Sequence, residues 1–177
     1  RLITDPNFFN KELKEPSVYL INKDNATETT FMIGGFGVPM SNADQIQIDV
    51  INTILGGRFT SWLNDELRIN AGYTYGVRSR FASYKNAGTF YISTFTATKN
   101  TEAAIDLALK TYNRLFENGI DEVTLKSAKN YVKGQFPPEY ETAGSLAGFL
   151  TQKYIYGLDD SYINDFEKAV DGMTVEK

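Results

Sequence analysis

Arg68 and Tyr75 are the residues of this sequence whose types and spacing could bind a peptide or stabilise a developing charge. They flank a stretch that is typical of a helix end, a short turn and the start of a strand. A guanidinium fork and a phenol that point at one volume can hold a peptide carbonyl or an oxyanion. A structural explanation is also open, because arginine complements the negative end of a helix and tyrosine is common in strands.

Other kinds of active site are excluded by the residue types that the chain lacks. Its 177 residues contain no His and no Cys. This chain therefore cannot build a Ser-His-Asp triad, a histidine zinc site, a thiolate nucleophile or an iron–sulfur cluster. The acidic pair Asp159-Asp160 is interpreted as a helix start and Asp65-Glu66 as a solvated helix face. We predict no metal site and no catalytic residue on this chain alone.

Charge and hydropathy exclude two classes of partner. Eighteen basic and 22 acidic residues give a net charge of −4 and a pI near 4.9, without a basic stripe, so no nucleic acid is expected. Apolar runs are shorter than the roughly 20 residues that span a bilayer. The chain begins at Arg1 without a signal-like segment, so we expect a fragment or a processed product of unknown compartment.

The first part of the chain is predicted to hold an arm and two strands. Residues 1–16 are polar, contain two prolines and read as a connecting arm, followed by one domain over 17–177. Strand-forming residues then predict strands at 17–22 and 29–33. The glycines after Ile33 lack the lysine and hydroxyl of a nucleotide loop, so we interpret them as tight turning or close backbone approach.

The spacing of apolar residues predicts the elements that position Arg68 and Tyr75, and glycines predict where those elements end. A helix capped by Ser41 or Asn42 is predicted to run to about Leu55, where Gly56-Gly57 stops it. A second helix is predicted over 58–69, and a hairpin with its turn at 85–88 follows. Further helices are predicted at about 101–117, 121–136, 142–156 and 161–169. Strands followed by a run of helices favour an α+β fold.

An ordered series of motifs lies between Leu55 and Tyr75. Its parts are Leu55-Gly56-Gly57, Ser61-Trp62-Leu63, Leu67-Arg68 and Gly72-Tyr73-Thr74-Tyr75. The series resembles the non-catalytic second half of the insulinase/pitrilysin-type (inverted zincin) zinc metallopeptidases, which include the mitochondrial processing peptidases and their bacterial relatives. The resemblance extends over about 18–177. Two positions depart from it: Ile69 stands where the family is often acidic, and Trp62 where arginine is frequent.

This resemblance implies a fold, a site and a division of labour. The fold would be a mostly antiparallel sheet packed on one side by several helices, of the LuxS/processing-peptidase-like type. Arg68 and Tyr75 would bind the substrate peptide, with Tyr75 as a candidate oxyanion stabiliser in the full enzyme. The structural motif would consist of Gly56, Gly57, Ser61, Leu67 and Gly72.

The resemblance also implies a partner. The zinc motif H-x-x-E-H needs histidine, so zinc is expected in a catalytic half on the same parent chain or on a separate subunit. That half would bind Zn²⁺ and activate the attacking water through its glutamate. Unfolded peptides are the expected substrates, and the isolated chain is expected to show no zinc-dependent proteolysis.

Three interpretations of function are open from the sequence. The first is the zinc-free, peptide-positioning half of a zinc metalloendopeptidase. The second is a non-catalytic scaffold or peptide-binding module, similar to the core subunits of membrane complexes that descend from the family. The third is an orphan domain in which the Arg–Tyr spacing is accidental. For the parent protein, a bacterial periplasmic or envelope location is favoured over the cytoplasm.

Overall fold

The computed structural model of the protein describes residues 23–176, apart from the side chain of Glu139. The predicted arm at 1–16 and the predicted strand at 17–22 lie outside these residues. The division into an arm and one domain at 17–177 therefore stays a prediction. Within the described part, none of the helices combines the length and the apolar character needed to cross a bilayer.

The sheet has three antiparallel strands in the order β1-β3-β2. β1 is Glu28–Gly37, β2 is Val77–Ser83 and β3 is Gly88–Ala97. β2 and β3 form the predicted hairpin, which is confirmed. β1 continues past its predicted end at Ile33 to Gly37, so Gly34 lies inside the strand. A Cβ at Gly34 would be 2.2 Å from the carbonyl oxygen of Phe90, so glycine allows the close approach of β1 to β3.

Six α-helices, two π-helical segments and two 3₁₀ turns make up the rest of the regular structure in the described residues. The α-helices are α1 Gln45–Asn52, α2 Thr101–Glu117, α3 Glu122–Gln135, α4 Ala143–Tyr156, α5 Ser161–Asn164 and α6 Phe166–Asp171; the π-helical segments are Thr53–Gly57 and Asn64–Asn70, and the 3₁₀ turns are Thr98–Asn100 and Pro137–Tyr140. The helix predicted at 101–117 is confirmed. Asp121 caps α3 by accepting the backbone N–H of Thr124 at 2.8 Å.

Two predicted helix boundaries are wrong. α1 begins at Gln45 after the N-cap residue Asp44, rather than after a cap at Ser41 or Asn42. The preceding residues form turns in which Asn42 Oδ1 accepts the backbone N–H of Asp44 at 2.8 Å. The second predicted helix does not begin at Arg58, whose backbone is extended (φ −129°, ψ 168°). Helical structure resumes only at residue 62. The chain between the two helices is therefore a short loop.

The helices cover one face of the sheet, so the α+β expectation is confirmed. Inward residues of β2 and β3, including Val77 and Ile92, are buried, whereas Arg78 and Arg80 on the other face are exposed. The buried apolar residues form two cores. One lies between α1, α3 and α6 and contains Val50, Ile54, Trp62, Leu125, Ala128, Phe166 and Val170. The other lies under the sheet and contains Leu55, Leu63, Leu67, Val77, Ile92 and Ala108.

Candidate functional site

The site segment, residues 53–79, runs from the end of α1 into β2 and carries all the residues predicted to bind substrate or to form the structural motif. It contributes to both apolar cores. It supplies Ile54 and Trp62 to the core against α3 and α6. To the core under the sheet it supplies Leu55, Leu63, Leu67 and Val77. Because the segment is anchored from two sides, the side chains that it presents to solvent start from a well-packed backbone.

Gly56 and Gly57 allow the first π-helical turn to approach its neighbours. A Cβ at Gly56 would lie 2.5 Å from the backbone nitrogen of Ser79 in β2, and one at Gly57 would lie 3.0 Å from the carbonyl oxygen of Asn52. The first distance is too short for any side chain. Glycine at 56 is therefore required for the contact between this turn and the strand that follows the site.

Asn64 ties the loop after the glycines to the beginning of β2. Its side chain is 6% exposed and donates from Nδ2 to the carbonyl oxygens of Val77 at 3.0 Å and Arg58 at 3.2 Å. Ser61 Oγ lies 3.2 Å from the same nitrogen, and Asn64 Oδ1 accepts the backbone N–H of Val77 at 3.2 Å. One buried amide thus fixes the distance between the helix that carries Arg68 and the strand that follows Tyr75.

The second π-helical segment, Asn64–Asn70, is the C-terminal part of the helix that begins at residue 62 and leads into the loop that carries Tyr75. Leu67 is fully buried, and its carbonyl accepts the backbone N–H of Tyr73 at 2.8 Å. The backbone N–H of Ala71 bonds to the carbonyl of Glu66 at 2.9 Å. Between them Gly72 has φ +64°, a left-handed conformation that favours glycine. π-Helical segments are rare and occur often at functional sites.

Two threonines of β3 hold the loop that carries Tyr75. Thr96 Oγ1 donates to the carbonyl of Tyr73 at 2.7 Å, and Thr94 Oγ1 lies 2.9 Å from both Thr74 Oγ1 and the carbonyl oxygen of Gly76. The backbone N–H of Gly76 donates in turn to Thr74 Oγ1 at 3.2 Å. Because the residues on both sides of Tyr75 are bonded to the sheet, its backbone position is restrained.

Arg68 is half-buried on the second π-helical segment. The Cζ atom of its guanidinium lies 4.2 Å from the ring centroid of Phe59, a cation–π contact. Its Nη1 is buried and has no acceptor within the described residues. A half-buried guanidinium held on an aromatic face can donate hydrogen bonds to an oxygen atom of a ligand.

Tyr75 lies on the surface rather than in the sheet. It is 85% exposed, and its ring centroid is 6.4 Å from that of Phe95. It lines a cavity of about 370 Å³ together with Arg58, Phe59, Arg78 and Tyr131. Within residues 23–176 no hydrogen bond or cation–π contact joins Tyr75 to Arg68. The two are related through Phe59, which contacts Arg68 and borders the cavity that Tyr75 lines.

Sequence reasoning missed the residues that support this arrangement. Asn64, Thr94 and Thr96 are all buried and all bond to the backbone around Tyr75. A signal was available for the threonines. Alternate residues of a strand share a face, so Thr94 and Thr96 lie on the same face as the apolar Ile92. Arg58 and Tyr131 were not singled out because they are distant in sequence from Tyr75.

The described residues do not provide a zinc site. No group of three or more His, Cys, Asp or Glu side chains within residues 23–176 is placed to hold a metal ion. The sequence as a whole lacks the imidazole and thiolate ligands that zinc prefers. A zinc ion therefore does not fit the residues found here.

A comparison with known families finds a match that includes the sequence motifs at 55–75. Residues 3–132 match the family described as the peptidase M16 inactive domain. Because the match covers most of the 177 residues, the chain belongs to the peptidase M16 inactive domain family. The resemblance to the non-catalytic half of inverted zincin peptidases is thereby confirmed.

Individual relatives agree with this membership. The chain is 29% identical over 179 aligned residues to the non-peptidase homolog YmxG of Helicobacter pylori (strain ATCC 700392 / 26695), covering 98% of this chain and 40% of that protein. It is 25% identical over 126 residues to the uncharacterized zinc protease YmxG of Bacillus subtilis (strain 168), covering 71% of this chain and 31% of that protein. The chain thus spans well under half of the length of either relative.

A solved structure shares the fold. The crystal structure of a peptidase M16 inactive domain from Pseudomonas fluorescens superposes with a TM-score of 0.79 at 28% sequence identity. The match covers 85% of this chain and 36% of that chain. The expected half-domain architecture is therefore present in this protein.

Proposed function

We propose that this chain is the peptide-holding, zinc-free half of a zinc metalloendopeptidase and that it acts opposite a half carrying H-x-x-E-H. Membership in the inactive-domain family supports this proposal. The structural observation that carries it is the contrast at Tyr75, where an 85% exposed side chain stands on a loop bonded to the sheet on both sides. Such a donor is accessible to a ligand, stands on a restrained backbone and adds little to packing.

Arg68 and Tyr75 have separate tasks in this proposal. The half-buried guanidinium of Arg68 donates to a carbonyl of the substrate backbone. The hydroxyl of Tyr75 donates to the oxygen of the scissile carbonyl, where negative charge develops during attack. The ring of Phe59 contacts the guanidinium of Arg68, and the ring of Phe95 lies beside that of Tyr75. Binding and orientation of the peptide are thus the contribution of this chain.

The catalytic half in this proposal lies elsewhere, on the same parent chain or on a separate subunit. Both named relatives are much longer than the aligned region, which leaves room in those proteins for another half. Zinc is assigned to that half because this chain has no histidine or cysteine. No water-activating step runs through the residues described here.

The test uses the complete parent protein, or this chain with its catalytic subunit, and an unstructured fluorogenic peptide. Tyr75→Phe removes one preorganised donor and is expected to lower kcat about 10²–10³-fold. Arg68→Ala is expected to raise KM, since it removes a contact to the substrate backbone in the ground state. Tyr154→Phe is the matched control, because Tyr154 is a 90% exposed tyrosine on α4. Near-wild-type kcat/KM in both site variants would contradict the proposal.

A second candidate is a non-catalytic scaffold or peptide-binding module. It is favoured by the name of the Helicobacter pylori relative, a non-peptidase homolog. The parent sequence and its neighbouring reading frames distinguish the two candidates: H-x-x-E-H followed by a downstream glutamate indicates a peptidase. If only degenerate halves are found, peptide binding that depends on Arg68 and Tyr75 but lacks hydrolysis would support the scaffold.

A periplasmic or envelope location of the parent protein in a bacterium belongs to the same proposal. The absence of cysteine is compatible with an oxidising compartment. Fractionation of cells that express the parent protein tests it, and recovery in the cytoplasmic fraction would contradict it.

A further inference from the structure

The arginines of this chain are concentrated around the candidate site. The sequence contains six arginines, and Arg58, Arg68, Arg78 and Arg80 all lie between positions 58 and 80, a stretch without lysine. The acidic residues of that stretch are Asp65 and Glu66, so it is net basic within a chain of net charge −4. The positive charge is therefore local to the site and opposite in sign to the whole molecule.

Among residues 23–176, no carboxylate forms an ion pair with any of these four arginines. The ion pairs of the described residues that are resolved here involve lysine, Lys133 with Asp171 and Lys153 with Asp160. Arg58 lies 5.8 Å from the ring centroid of Tyr131, and its Nε is buried without an acceptor within residues 23–176. A half-buried guanidinium is less well hydrated than one in open water, so an anion that binds its accessible N–H groups stabilises it.

Arg58 and Arg78 line the cavity of about 370 Å³ that Tyr75 also lines. Arg58 is oriented by a hydrogen bond from its Nη1 to Ser127 Oγ at 3.0 Å. Arg78 is exposed on the outer face of β2. Phe59 and Tyr131 add aromatic rings to the lining of this cavity. The cavity thus combines two cations, apolar ring faces and the phenol of the proposed substrate site.

We propose that this cavity binds a carboxylate of the substrate peptide, with Arg58 and Arg78 as its partners. The inference rests on the proposed function and adds a substrate class to it: peptides with an acidic group close to the bond that Tyr75 addresses. Guanidinium groups match a carboxylate in charge and in donor geometry. The aromatic walls pack against the methylene groups that carry the carboxylate.

An acidic side chain and the carboxyl terminus of a peptide present the same chemical group, so the experiment separates them. Four unstructured ten-residue peptides differ at one internal position and at the end: Glu with an amidated terminus, Gln with an amidated terminus, Gln with a free terminus, and Lys with an amidated terminus. Kd is measured by calorimetry and kcat/KM by hydrolysis with the parent protein. We expect one of the two carboxylate peptides to bind about 10-fold more tightly than the Gln amide, and this preference to shrink as salt rises.

The variants test whether the cavity itself is responsible. Arg78→Gln is expected to remove most of the 10-fold preference, because Arg78 lines the cavity. Arg80→Gln is the matched control: Arg80 lies on the same strand and the same exposed face, and it is outside the cavity lining. Circular dichroism of both variants checks that they fold, which is expected because both residues are exposed.

The inference and the proposed function fail in different ways. Equal Kd values for the Glu amide, the Gln amide and the free-terminus peptide overturn the carboxylate site, as does an equal loss of preference in Arg78→Gln and Arg80→Gln. The proposed function still stands if Tyr75→Phe and Arg68→Ala slow hydrolysis of the Gln amide. If those two variants hydrolyse it normally, the proposed function fails whatever the carboxylate preference.

Discussion

The site segment and helix α4 are both rich in apolar residues, yet the described residues cover them very differently. In the site segment, Leu63 and Leu67 are 0% exposed. In α4 none of the 14 residues is buried, and Leu150 is 55% exposed. Apolar content alone therefore does not decide burial. The difference lies in the neighbours, since the site segment has a core on each side and α4 packs mainly beside the 3₁₀ turn at Pro137–Tyr140.

The C-terminal region and the site segment also differ in the partners of their charged side chains. Near the C-terminus, Lys133 lies 3.0 Å from Asp171, and Lys129 donates to the carbonyl oxygens of Asp171 and Met173 at 3.0 Å each. These cations stabilise the end of α6. Arg58 and Arg68 of the site segment instead contact aromatic rings and a serine. The C-terminal lysines thus serve the chain's own helices, whereas the arginines of the site segment have no carboxylate partner among residues 23–176.

The largest expected effect separates a leucine of the site segment from one of α4. Leu67→Ala opens a cavity in a closed core and is expected to lower the free energy of unfolding by about 2–5 kcal/mol. Leu150→Ala is the same chemical change on an exposed surface and is expected to cost less than about 1 kcal/mol. Urea denaturation of both variants measures the difference. Similar costs would show that α4 is packed in solution and would remove the contrast.

A second, smaller effect concerns the amide that joins the two sides of the site. Asn64→Ala leaves the N–H of Val77 without its side-chain acceptor in a buried place and is expected to destabilise the protein by about 1–3 kcal/mol. Asn164→Ala on exposed α5 serves as the control and should lie within about 0.5 kcal/mol of the wild type.

Asn64 also has an expected effect on binding. Its loss loosens the spacing between Arg58 and Val77, so Asn64→Ala should weaken peptide binding by the parent protein even at temperatures where the variant remains folded. Unchanged Kd in a folded Asn64→Ala variant would mean that this amide does not position the site.

The smallest effect is the response to acid. Hydrogen bonds from the hydroxyl and then the backbone N–H of Thr124 lower the pKa of Asp121 below its ordinary value. The hydroxyl and backbone N–H of Ser161 likewise lower the pKa of Asp159. A lowered folded-state pKa contributes stability above the unfolded pKa of about 3.9, and this is lost as pH falls through the folded value.

The two caps should nevertheless differ in what they stabilise. Asp121 caps α3, which buries Leu125 and Ala128, whereas Asp159 precedes α5, which has no buried residue. The Tm difference between wild type and Asp121→Asn should therefore be constant near neutral pH and shrink below about pH 4. Asp159→Asn should change Tm little at any pH. A larger Tm change for Asp159→Asn would reverse the order of the two regions.

Local patterns predicted a large part of the fold. α2 and the hairpin follow from short-range periodicity and from turn residues next to each other in the chain, and both are confirmed. The boundaries around α1 and Arg58 were wrong because they depend on packing. The turn at Thr53–Gly57 is π-helical where Gly56 presses against Ser79 of β2, a residue far along the chain.

The candidate site was predicted only in part. Arg68 and Tyr75 were identified from their types, but the sequence did not indicate that Phe59 lies on Arg68 or that Tyr75 is exposed. The supporting bonds of Asn64, Thr94 and Thr96 join residues 13 to 23 positions apart. Such bonds depend on the strand register and on the left-handed turn at Gly72, which a one-dimensional pattern does not specify.

The sequence by itself determined the class of chemistry. Without histidine or cysteine the chain lacks the imidazole and thiolate ligands that zinc prefers, and its ordered motifs around Leu67-Arg68 indicate the non-catalytic half of a family to which it belongs. Only the tertiary structure decided which charges share a cavity with Tyr75. Tyr131 comes from α3 and Arg78 from β2, and they meet Arg58 there because two cores hold the site segment against both elements.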